Sequence, residues 1–583
     1  MIQTHIEKRW KVSPQIPLQI ADEFQMYSDV MAQILYNRQI KDAQSAEVFL
    51  NGNGPFYNPF LLRNMDKAVS LILFAVDNDE PIAVYGDYDV DGISATALMS
   101  EVLQRIGAQV TPYIPDRFTE GYGINTNALD KLHNAGIKLM VTVDCGIRSI
   151  NELNYAVRNL GMKVIISDHH GPAEILPDVE AIICQKQVGD TYPEKNLSGV
   201  GIAYKIAQAI IQVRPEAGVD VREWLDLAAL GTVADVVPLV GENRSIVKAG
   251  LAQMHFGKRT GLSALIGVSR LQANMISATD ISFGIAPRLN AVGRIESIVS
   301  EGDDISGIDS EFSLPVAAHK ALAILMTTDV TLAGLLAQEL DDINRKRQQL
   351  TREMQSQAEQ LINCEDLVLF AADKNFSSGL VGLVAAKLTE SFYRPTIIGY
   401  IGEHHTRASC RSIKEFHITQ ALDRCSDLLL QHGGHAMAAG FTVANDNMHL
   451  LIDRLQAIAH ETLDQDAIKP SLVADIDIPL SQIPKDIIKD LDRLDPIGAG
   501  NPPATFISRN VQVLSSKAVG KDKNHLKLTV RDNQSVYDAI AFRLGYWDGV
   551  LPERIDLFYQ IEKNYFNGKV TTQLNIKDIK ATD

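Results

Sequence analysis

Three aspartates on alternate positions, followed by a glycine, stand in the stretch YGDYDVDGIS at residues 85–94. The pattern D-x-D-x-D-G is typical of an EF-hand calcium loop, which also needs a Glu at its twelfth position and a helix on each side. Counted from Asp87, the twelfth position is Leu98. The preceding PIAVYG predicts a buried strand, and the following ISATALMSEVLQRIGA predicts a helix. The pattern therefore disfavours a calcium loop and favours a metal-binding strand end of a hydrolase.

Further acids and two histidines follow other predicted strands. VTVDCG brings Asp144, IISDHH brings Asp168, His169 and His170, and LGTVADVVPL offers Asp235 after an apolar run. The carboxyl ends of parallel strands meet at one rim of a sheet, so we expect these groups to converge with the aspartate triplet. Taken singly, a strand-end Asp is more often a helix cap, and a His pair is as often structural. Together they predict a metal centre.

The donor types indicate which metal this centre would hold. Carboxylates and imidazoles without thiolates suit Mn²⁺ or Mg²⁺ better than a structural zinc. Several acids in one place repel one another unless cations neutralise them. Two divalent ions about 3.5–4 Å apart would clamp a phosphate and convert a bound water into hydroxide.

The elements that would position these groups alternate between strand and helix from about residue 65 to 240. Predicted strands are PIAVYG, QVTPYI, KLMVTVD, KVIISD and EAIICQ, and TNALDKLHNAG and SINELNYAVRNLG have helical periodicity. This order predicts a parallel, doubly wound α/β sheet. Neither G-x-G-x-x-G nor a Walker motif is present, which disfavours dinucleotide and P-loop nucleotide binding.

The remainder of the chain predicts four further parts. Residues 299–315 form an acidic loop, and residues 329–362 form one amphipathic helix with an apolar stripe that is interrupted only at Arg347. The simplest explanation of that stripe is core packing. A second α/β unit follows with DLVLFAA, LVGLVAAKLTESF and PTIIGYI. From about residue 470, short β-rich runs predict a small barrel or sandwich.

Composition limits the possible partners. A chain of 583 residues is long enough for two to four domains, and its net charge of −17 excludes a uniformly basic nucleic-acid-binding protein but not a local basic groove. Five scattered cysteines argue against a disulfide framework and a thiolate zinc site. No apolar stretch predicts a membrane span or signal peptide, so we expect a cytoplasmic protein with no membrane partner.

The motifs also resemble a known family. GDYDVDG, VDCG, SDHH and GTVADVVPL are similar to the four motifs of the DHH phosphoesterase superfamily. SGVGIAYK, GENR, APRLNAVGR, GGHAMAAG and LDPIGAGNPPATF resemble its bacterial single-strand-specific 5′→3′ exonucleases, from about residue 50 to the end. The resemblance implies a parallel-sheet DHH domain and a smaller α/β DHHA1 domain joined by a long helix, plus a C-terminal all-β OB-fold. The implied boundaries are 1–48 for an N-terminal extension, 49–320 for DHH, 321–362 for the helix, 363–465 for DHHA1 and 466–583 for the OB-fold.

The resemblance implies roles for the acids and histidines. The implied ligands of two Mn²⁺ or Mg²⁺ ions are Asp89, Asp91, Asp144, His169 and Asp235. Asp144, on a central strand, would bridge the two ions. Asp87 and Asp168 would orient ligands or water. His170 would contact the scissile phosphate or assist the leaving group.

It also implies contacts to a DNA strand. Ser409 and Arg411 of RASCRS, with Arg117 of PDRF, would hold the 5′-terminal phosphate, since an Arg fork donates two hydrogen bonds at once. Arg288 and Asn290 of PRLN would line the path of the strand. For each Arg considered alone, a role in a surface salt bridge is as good an explanation as a contact to DNA.

Two glycine-rich segments and a basic cluster complete the implied interface. His435 lies in GGHAMAAG, whose glycines could admit nucleic acid or only form a tight turn, and Ser377 stands where the family tends to have His. The stretch SSKAVGKDKNHLKLTVR is basic, and its cations are Lys517, Lys521, Lys523, Lys527 and Arg531. An OB barrel binds single strands through such cations and stacking aromatics. The aromatic residues that could stack on bases are Tyr537, Phe542, Tyr546 and Trp547. For each of them, the alternative is a place in the core of the barrel.

The implied activity is a metal-dependent 5′→3′ exonuclease that degrades single-stranded DNA to 5′ mononucleotides in recombination and repair. We expect a monomer, with a single-stranded DNA-binding protein and a RecQ-type helicase as partners. One alternative is a phosphodiesterase for short oligonucleotides or cyclic dinucleotides, which would not need the OB-like domain. A non-enzymatic scaffold is disfavoured because every expected ligand is present.

Overall fold

The computed structural model describes residues 6–52, 54–117, 120–121, 123–215, 218–295, 316–464, 468–566 and 569–582. The predicted acidic loop at 299–315 lies outside them. The described residues form two compact units: one comprises 55–464 and 498–500, and the other comprises 6–54, 468–497 and 501–582. None of the helices in these ranges has both the length and the apolar character that a membrane span requires.

The secondary structure is as follows. The strands are β1 (Arg9–Val12), β2 (Ile82–Tyr85), β3 (Val110–Tyr113), β4 (Leu139–Val143), β5 (Lys163–Ser167), β6 (Ala181–Ile183), β7 (Leu369–Asp373), β8 (Thr396–Ile401), β9 (His405–Arg411), β10 (Leu429–His435), β11 (Ala438–Ala444), β12 (Ser471–Ala474), β13 (Ile476–Asp477), β14 (Phe506–Val519), β15 (His525–Asp532), β16 (Ser535–Ala541), β17 (Arg554–Phe566) and β18 (Lys569–Ala581). The helices are α1 (Leu18–Ala21), α2 (Asp29–Asn37), α3 (Ala43–Asn51), α4 (Met65–Asp77), α5 (Val90–Arg105), α6 (Thr126–Asn134), α7 (Ile150–Arg158), α8 (Gly199–Val213), α9 (Leu225–Ala234), α10 (Gly241–His255), α11 (Thr260–Val268), α12 (Ala278–Asp280), α13 (Ala286–Leu289), α14 (Val316–Met326), α15 (Val330–Leu361), α16 (Val381–Phe392), α17 (Ile418–Asp423), α18 (Met448–Thr462) and α19 (Ile487–Asp492).

The first sheet has the order β3-β2-β4-β5-β6, and its strands are parallel. β2 and β4 are buried along their whole length because helices cover both faces. Ile82 and Val84 pack in a core with α4, α5 and α8, whereas Ala83 and Tyr85 pack in a second core with α6 and α7. The predicted doubly wound sheet is confirmed.

The second sheet has the order β10-β11-β9-β8-β7, in which only β7 and β8 run parallel. The single long helix predicted over 329–362 is observed as α15, whose first turn is capped by the Asp329 side chain. Leu336 and Leu340 lie in the core of the first sheet, and Met354 and Ala358 lie in the core of the second. The apolar stripe therefore joins the two α/β cores within one unit.

The other unit contains a closed barrel. Strands β14, β15, β16, β18 and β17 follow one another, and β17 returns to pair with β14, as in the predicted OB-fold. The N-terminal segment packs onto this barrel: β1 pairs with β12, and Met31 and Leu35 of α2 share a core with Phe506 and Leu528. From the sequence, residues 1–48 were expected to be a separate N-terminal extension. The domain boundaries given above stay a prediction.

Candidate metal centre and phosphate pocket

The carboxyl ends of β2, β4 and β5 bring the predicted acids to one edge of the first sheet. Asp87 follows β2, Asp144 follows β4 directly with φ of 63°, and Asp168 follows β5. Asp89 caps α5, where its Oδ1 accepts from the backbone N–H groups of Asp91 and Gly92. Because the sheet is parallel, these loops meet in space as the sequence predicts.

Three overlapping groups of side chains each place their ligand atoms within 4.8 Å of one another. They are Asp87, Asp89 and Asp144; Asp144, His169 and His170; and Asp91, His169 and Asp235. Asp144 and His169 each belong to two of these groups. Asp235 reaches the cluster from the end of α9.

His169 is the centre of the second and third groups. Its Nε2 lies 3.1 Å from Asp144 Oδ1 and 3.9 Å from Asp91 Oδ2, and its Nδ1 lies 3.6 Å from Asp235 Oδ2. Burial, aided by the charge of His170, lowers the pKa of His169 to about 3. The imidazole is therefore neutral at physiological pH, the form that binds metal.

Four buried polar atoms at this edge have no hydrogen-bond partner among the described residues. They are Asp87 Oδ1, Asp144 Oδ1, His169 Nδ1 and Asp235 Oδ2. Buried polar atoms are normally paired, and leaving them unpaired is costly. A cation bound among these atoms would satisfy them together, so the residues fit a metal site.

Burial also changes the protonation of the acids. It raises the pKa of Asp87 and of Asp235 to about 7, and the charge of Asp89 adds to the effect in both. Burial, followed by the neighbouring acids, raises the pKa of Asp91 and Asp144 further. A bound cation would reverse these shifts by stabilising the carboxylates.

Two glycines let helices approach the acids closely. A Cβ on Gly199 would lie 2.5 Å from the Cβ of Asp144, and one on Gly231 would lie 2.7 Å from Oδ1 of Asp91. In turn, Asp91 accepts hydrogen bonds from the N–H groups of Gly199 at 2.6 Å and Val200 at 2.9 Å, at the start of α8. Gly199 of SGVG and Gly231 of LGTVAD are thus required because their helices pack against the acidic cluster.

Asp168 holds His170 and the loop after β4. Its Oδ1 lies 2.8 Å from His170 Nδ1, and its Oδ2 accepts from the Ile147 N–H at 2.9 Å. Burial lowers the pKa of His170, but the hydrogen bond and charge of Asp168 outweigh it and leave that pKa above its ordinary value. The His170 side chain is 42% exposed, so its imidazole is accessible at the open side of the cluster.

Thiols do not contribute to this donor set. Cys145 and Cys184 lie beside it, but burial raises the pKa of both, that of Cys184 to about 11. They stay protonated, which leaves an oxygen and imidazole set suited to Mn²⁺ or Mg²⁺.

An arginine-lined cavity of about 350 Å³ lies in the same unit. Its lining comprises Arg117, Arg294, Ser378, Gly379, Val381, Gly382, Arg407, Ala408, Ser409 and Arg411. Arg411 Nη1 donates to Ser409 Oγ at 3.0 Å, and Arg117 stacks over the Tyr88 ring at 5.2 Å. Burial and the charges of Arg117 and Arg347 lower the pKa of Arg294 to about 10. We refer to this cavity as the arginine pocket; its charge and size suit a phosphate.

The structure therefore brings together Arg117, Ser409 and Arg411, as the resemblance implied. It adds Arg294 and Arg407, which the sequence reasoning missed. Arg294 ends the quoted motif APRLNAVGR, and Arg407 stands two residues before Ser409 on β9, where alternate side chains share a face. Ser377 is exposed in the loop before α16, next to Ser378 of the pocket.

Two other predicted DNA contacts have protein partners. Both Nε and Nη2 of Arg288 bind Asp341 Oδ1, at 2.9 and 2.7 Å, and Asn290 Oδ1 accepts from the Val90 N–H at 3.2 Å. These contacts give both side chains a positioning role that the sequence did not predict. His435 is exposed at the tip of the β10–β11 hairpin.

The predicted basic cluster lies on the β14–β15 hairpin of the barrel unit. Lys521 and Lys523 are exposed in the turn, and Lys517 lies directly opposite Lys527 across the two strands. Of the nearby aromatic residues, Phe542 is 54% exposed and Tyr546 is 40% exposed. The other two aromatics of the prediction, Tyr537 and Trp547, are partly buried and pack on the barrel core.

Comparison with known proteins agrees with this arrangement. Residues 81–232 match the DHH family N-terminal domain, 365–461 match the DHHA1 domain, and 474–578 match the RecJ OB domain. The chain is 37% identical to the single-stranded-DNA-specific exonuclease RecJ of Bacillus subtilis, over 95% of this chain and 68% of that protein. The corresponding protein of Escherichia coli is 32% identical over 94% and 95%.

A solved structure supports the same relationship. RecJ of Thermus thermophilus in complex with Mn²⁺ has a TM-score of 0.83 and 27% identity, covering 99% of this chain and 80% of that one. The fold, the order of the domains and the sequence identity lead to one conclusion: the chain belongs to the RecJ family of DHH phosphoesterases.

Proposed function

We propose that this protein is a metal-dependent exonuclease that degrades single-stranded DNA in the 5′→3′ direction to 5′ mononucleotides, in DNA recombination and repair. The observation that carries this proposal is the cluster of buried acids and His169 in which four polar atoms have no partner among the described residues. Its relatives from Bacillus subtilis and Escherichia coli are named single-stranded-DNA-specific exonucleases.

We infer which residues would hold the two Mn²⁺ or Mg²⁺ ions. The ligands expected from the sequence are Asp89, Asp91, Asp144, His169 and Asp235. The position of Asp87 beside Asp89 and Asp144 supports adding it to the set, rather than limiting it to the supporting role expected from the sequence. When bound, the ions supply Lewis-acid activation of a water and neutralise charge on the phosphate.

His170 would supply the proton. The hydrogen bond between its Nδ1 and Asp168 leaves Nε2 as the donor toward the substrate. In the release of a 5′ mononucleotide, the bond between phosphorus and the 3′ oxygen breaks, and that oxygen needs a proton. An imidazolium held by Asp168 is suited to give it, and Asp168 keeps the ring oriented.

The arginine pocket would set the polarity of the reaction. Arg117, Ser409 and Arg411, with Arg294 and Arg407, are suited to a 5′-terminal phosphate. Cleavage one nucleotide from that end leaves a new 5′ phosphate on the shortened strand, which can enter the pocket again.

Other residues would support binding at a distance from the reacting atoms. Asn290 would orient the loop of Asp89 through its bond to the Val90 N–H, and Arg288 would fix the neighbouring turn to α15. Exposed His435 would contact the strand near β9. The cluster of Lys521, Lys523 and Lys527 would bind backbone phosphates on the barrel.

A labelled-substrate assay tests the proposal. DNA carrying a 5′ or a 3′ label, single- or double-stranded, is incubated with Mn²⁺, Mg²⁺ or EDTA, and the assay is repeated with Asp144→Ala. We expect 5′ mononucleotides from single strands only, and only with metal. Activity that survives EDTA or the substitution contradicts the mechanism, and turnover of dinucleotides alone would favour the phosphodiesterase alternative.

The wider context is a proposal of the same kind. The DNA substrate supports a location in the cytoplasm, and the family resemblance supports a single-stranded DNA-binding protein and a RecQ-type helicase as partners. Co-purification of either partner with the tagged protein from cells treated with nuclease, so that DNA does not bridge them, tests this.

A further inference from the structure

Arg347 is the residue that interrupts the apolar stripe of α15, and neither the core nor the proposed site uses it. In the structure it is half-buried, and its Nε is buried without a hydrogen-bond partner in the described part of the chain. No carboxylate within the described ranges forms an ion pair with it, whereas Arg345, two residues earlier, pairs with Asp341 and Asp342. A half-buried guanidinium in this state is costly.

The charges around Arg347 make it less favourable still. Burial and the charge of Arg288 lower the pKa of Arg347, and Arg347 in turn lowers that of Arg294 in the arginine pocket. Asp341 on the same helix is already engaged by both Arg288 and Arg345. Arg347 is thus influenced by other arginines and has no ion-pair partner of its own among the described residues, which leaves a surplus of positive charge that an anion would compensate.

Polar residues lie one turn before and one turn after Arg347 on α15. Asn344, one turn before it, is 2% exposed, and its Oδ1 has no partner among the described residues. Thr351, one turn after it, is 3% exposed and donates to the Arg347 carbonyl oxygen. α15 packs against α13, the helix that precedes Arg294 in the chain. Asn344 Oδ1 is a hydrogen-bond acceptor, as a phosphate oxygen is, so a nucleic-acid strand would pair with the guanidinium of Arg347 and not with this amide oxygen.

We propose that Arg347 is a further substrate-binding residue, which binds an internucleotide phosphate of the strand whose 5′ end lies in the arginine pocket. This rests on the proposed function. The planar fork of Arg suits a phosphate oxygen pair, and its fixed position on a long helix makes it a rigid contact. Unlike the pocket arginines, it would act equally on DNA with and without a 5′ phosphate.

The test uses Arg347→Gln and Arg347→Lys in the full-length protein, with Lys346→Gln as the control because Lys346 is an exposed neighbour on the same helix. Binding of a 20-nucleotide single strand, 5′-phosphorylated or 5′-hydroxyl, is measured in EDTA over a range of NaCl concentrations. We expect Arg347→Gln to weaken binding about tenfold on both strands. The slope of log affinity against log salt should become shallower by about 0.7, the loss of one phosphate contact. Arg347→Lys should keep the wild-type slope. Lys346→Gln should change the affinity and the slope much less than Arg347→Gln does.

Thermal unfolding separates this role from a structural one. Removal of an uncompensated buried cation should leave the Tm of Arg347→Gln equal to or above that of the wild type. A lower Tm with an unchanged salt slope would show that the guanidinium has a protein partner and would overturn the proposal. A loss confined to 5′-phosphorylated DNA would also overturn it, since Arg347 would then belong to the pocket. If the wild type binds single strands but does not cut them, the proposed function fails while these binding results still decide the role of Arg347.

Discussion

Asp168 Oδ1 lies 2.8 Å from His170 Nδ1, and this pair raises the pKa of the His170 imidazole against the opposing effect of burial. The carboxylate therefore does two things for the candidate site: it orients the ring, and it extends the pH range over which the ring holds a proton. A group that donates a proton must hold it at the working pH, so this contact links the geometry of the loop to the pH range of activity.

Asp168→Asn should lower activity at neutral pH. The decline of activity with rising pH should begin at a lower pH than in the wild type. Without the negative charge the pKa of His170 falls, so the protonated ring disappears at a lower pH than in the wild type. The measurement is kcat on 5′-phosphorylated single-stranded DNA between pH 5.5 and 9, together with Mn²⁺ affinity. Unchanged metal affinity with a shifted profile supports the role, and an unshifted profile shows that His170 is not the proton donor.

Mn²⁺ affinity should rise as the pH is raised through about 7. Asp87 and Asp235 have pKa values raised to about 7, so protons compete with the metal below that pH. Titration calorimetry at pH 6 in buffers of different ionisation enthalpy should detect proton release on binding. Asp235→Asn should reduce this release by about one proton, and Asp130→Asn, remote from the cluster, should not.

The same shifts predict how the metal-free protein responds to pH. The folded state holds these protons up to about pH 7, whereas the unfolded chain loses them near the ordinary value of about 4. Since the folded state binds more protons, this contribution to stability falls as pH rises from about 4 to 7 and is constant above. The Tm in EDTA, compared with the Tm in Mn²⁺, should show a fall that the metal removes.

Gly199→Ala should disrupt the metal site. The new Cβ would lie 2.5 Å from Asp144 Cβ and 2.6 Å from its Oδ1, so α8 or Asp144 must shift, at a cost of ~1–3 kcal/mol in stability. Mn²⁺ affinity and exonuclease activity should both fall by at least an order of magnitude. Gly334→Ala is the control: it is also helical, a Cβ there meets nothing within 4 Å, and it should leave activity unchanged. Normal Mn²⁺ binding by Gly199→Ala would show that Asp144 is not a ligand.

The sequence predicted the convergence of the acids and histidines better than that of the pocket arginines, for a physical reason. Asp144 and His169 directly follow apolar strands, and the rule that parallel strands share a carboxyl edge converts chain position into proximity. Arg294, in the turn after α13, and Arg407, on β9, follow no such rule, because a long side chain has many possible partners. Their convergence depends on the packing of α16 and β9 against residues far away in the chain.

The barrel shows a similar limit. Its strands were predicted from their short β-rich runs, but Arg9 pairs with Ser471 in a parallel ladder between β1 and β12. No local pattern connects residues so distant in the chain. The N-terminal segment could therefore be recognised as separate from the α/β region but not assigned to the barrel.

Substitution of Arg411 should abolish preference for a 5′ phosphate. Arg411 and Ser409 are bonded to each other and line the arginine pocket, so Arg411→Gln should raise KM about tenfold or more for 5′-phosphorylated DNA but little for 5′-hydroxyl DNA. Arg407→Gln should have a smaller effect in the same direction, since Arg407 is more exposed. Lys374→Gln, an exposed cation outside the pocket lining, should leave the ratio unchanged. Equal losses on both substrates would assign Arg411 to general strand binding.

Lys527→Gln should make the barrel more stable and the protein a weaker DNA binder. Lys517 and Lys527 lie directly opposite each other on β14 and β15, and like charges in that position are destabilising by up to ~1 kcal/mol. A strand phosphate would neutralise the pair, which suits a surface that binds an anion. Chemical denaturation should show a small gain in the free energy of unfolding, and single-strand affinity at low salt should fall several-fold. Lys485→Gln, an exposed lysine of the same unit outside the hairpin, should change neither. Gain of stability without loss of affinity would remove the hairpin from the DNA-binding surface.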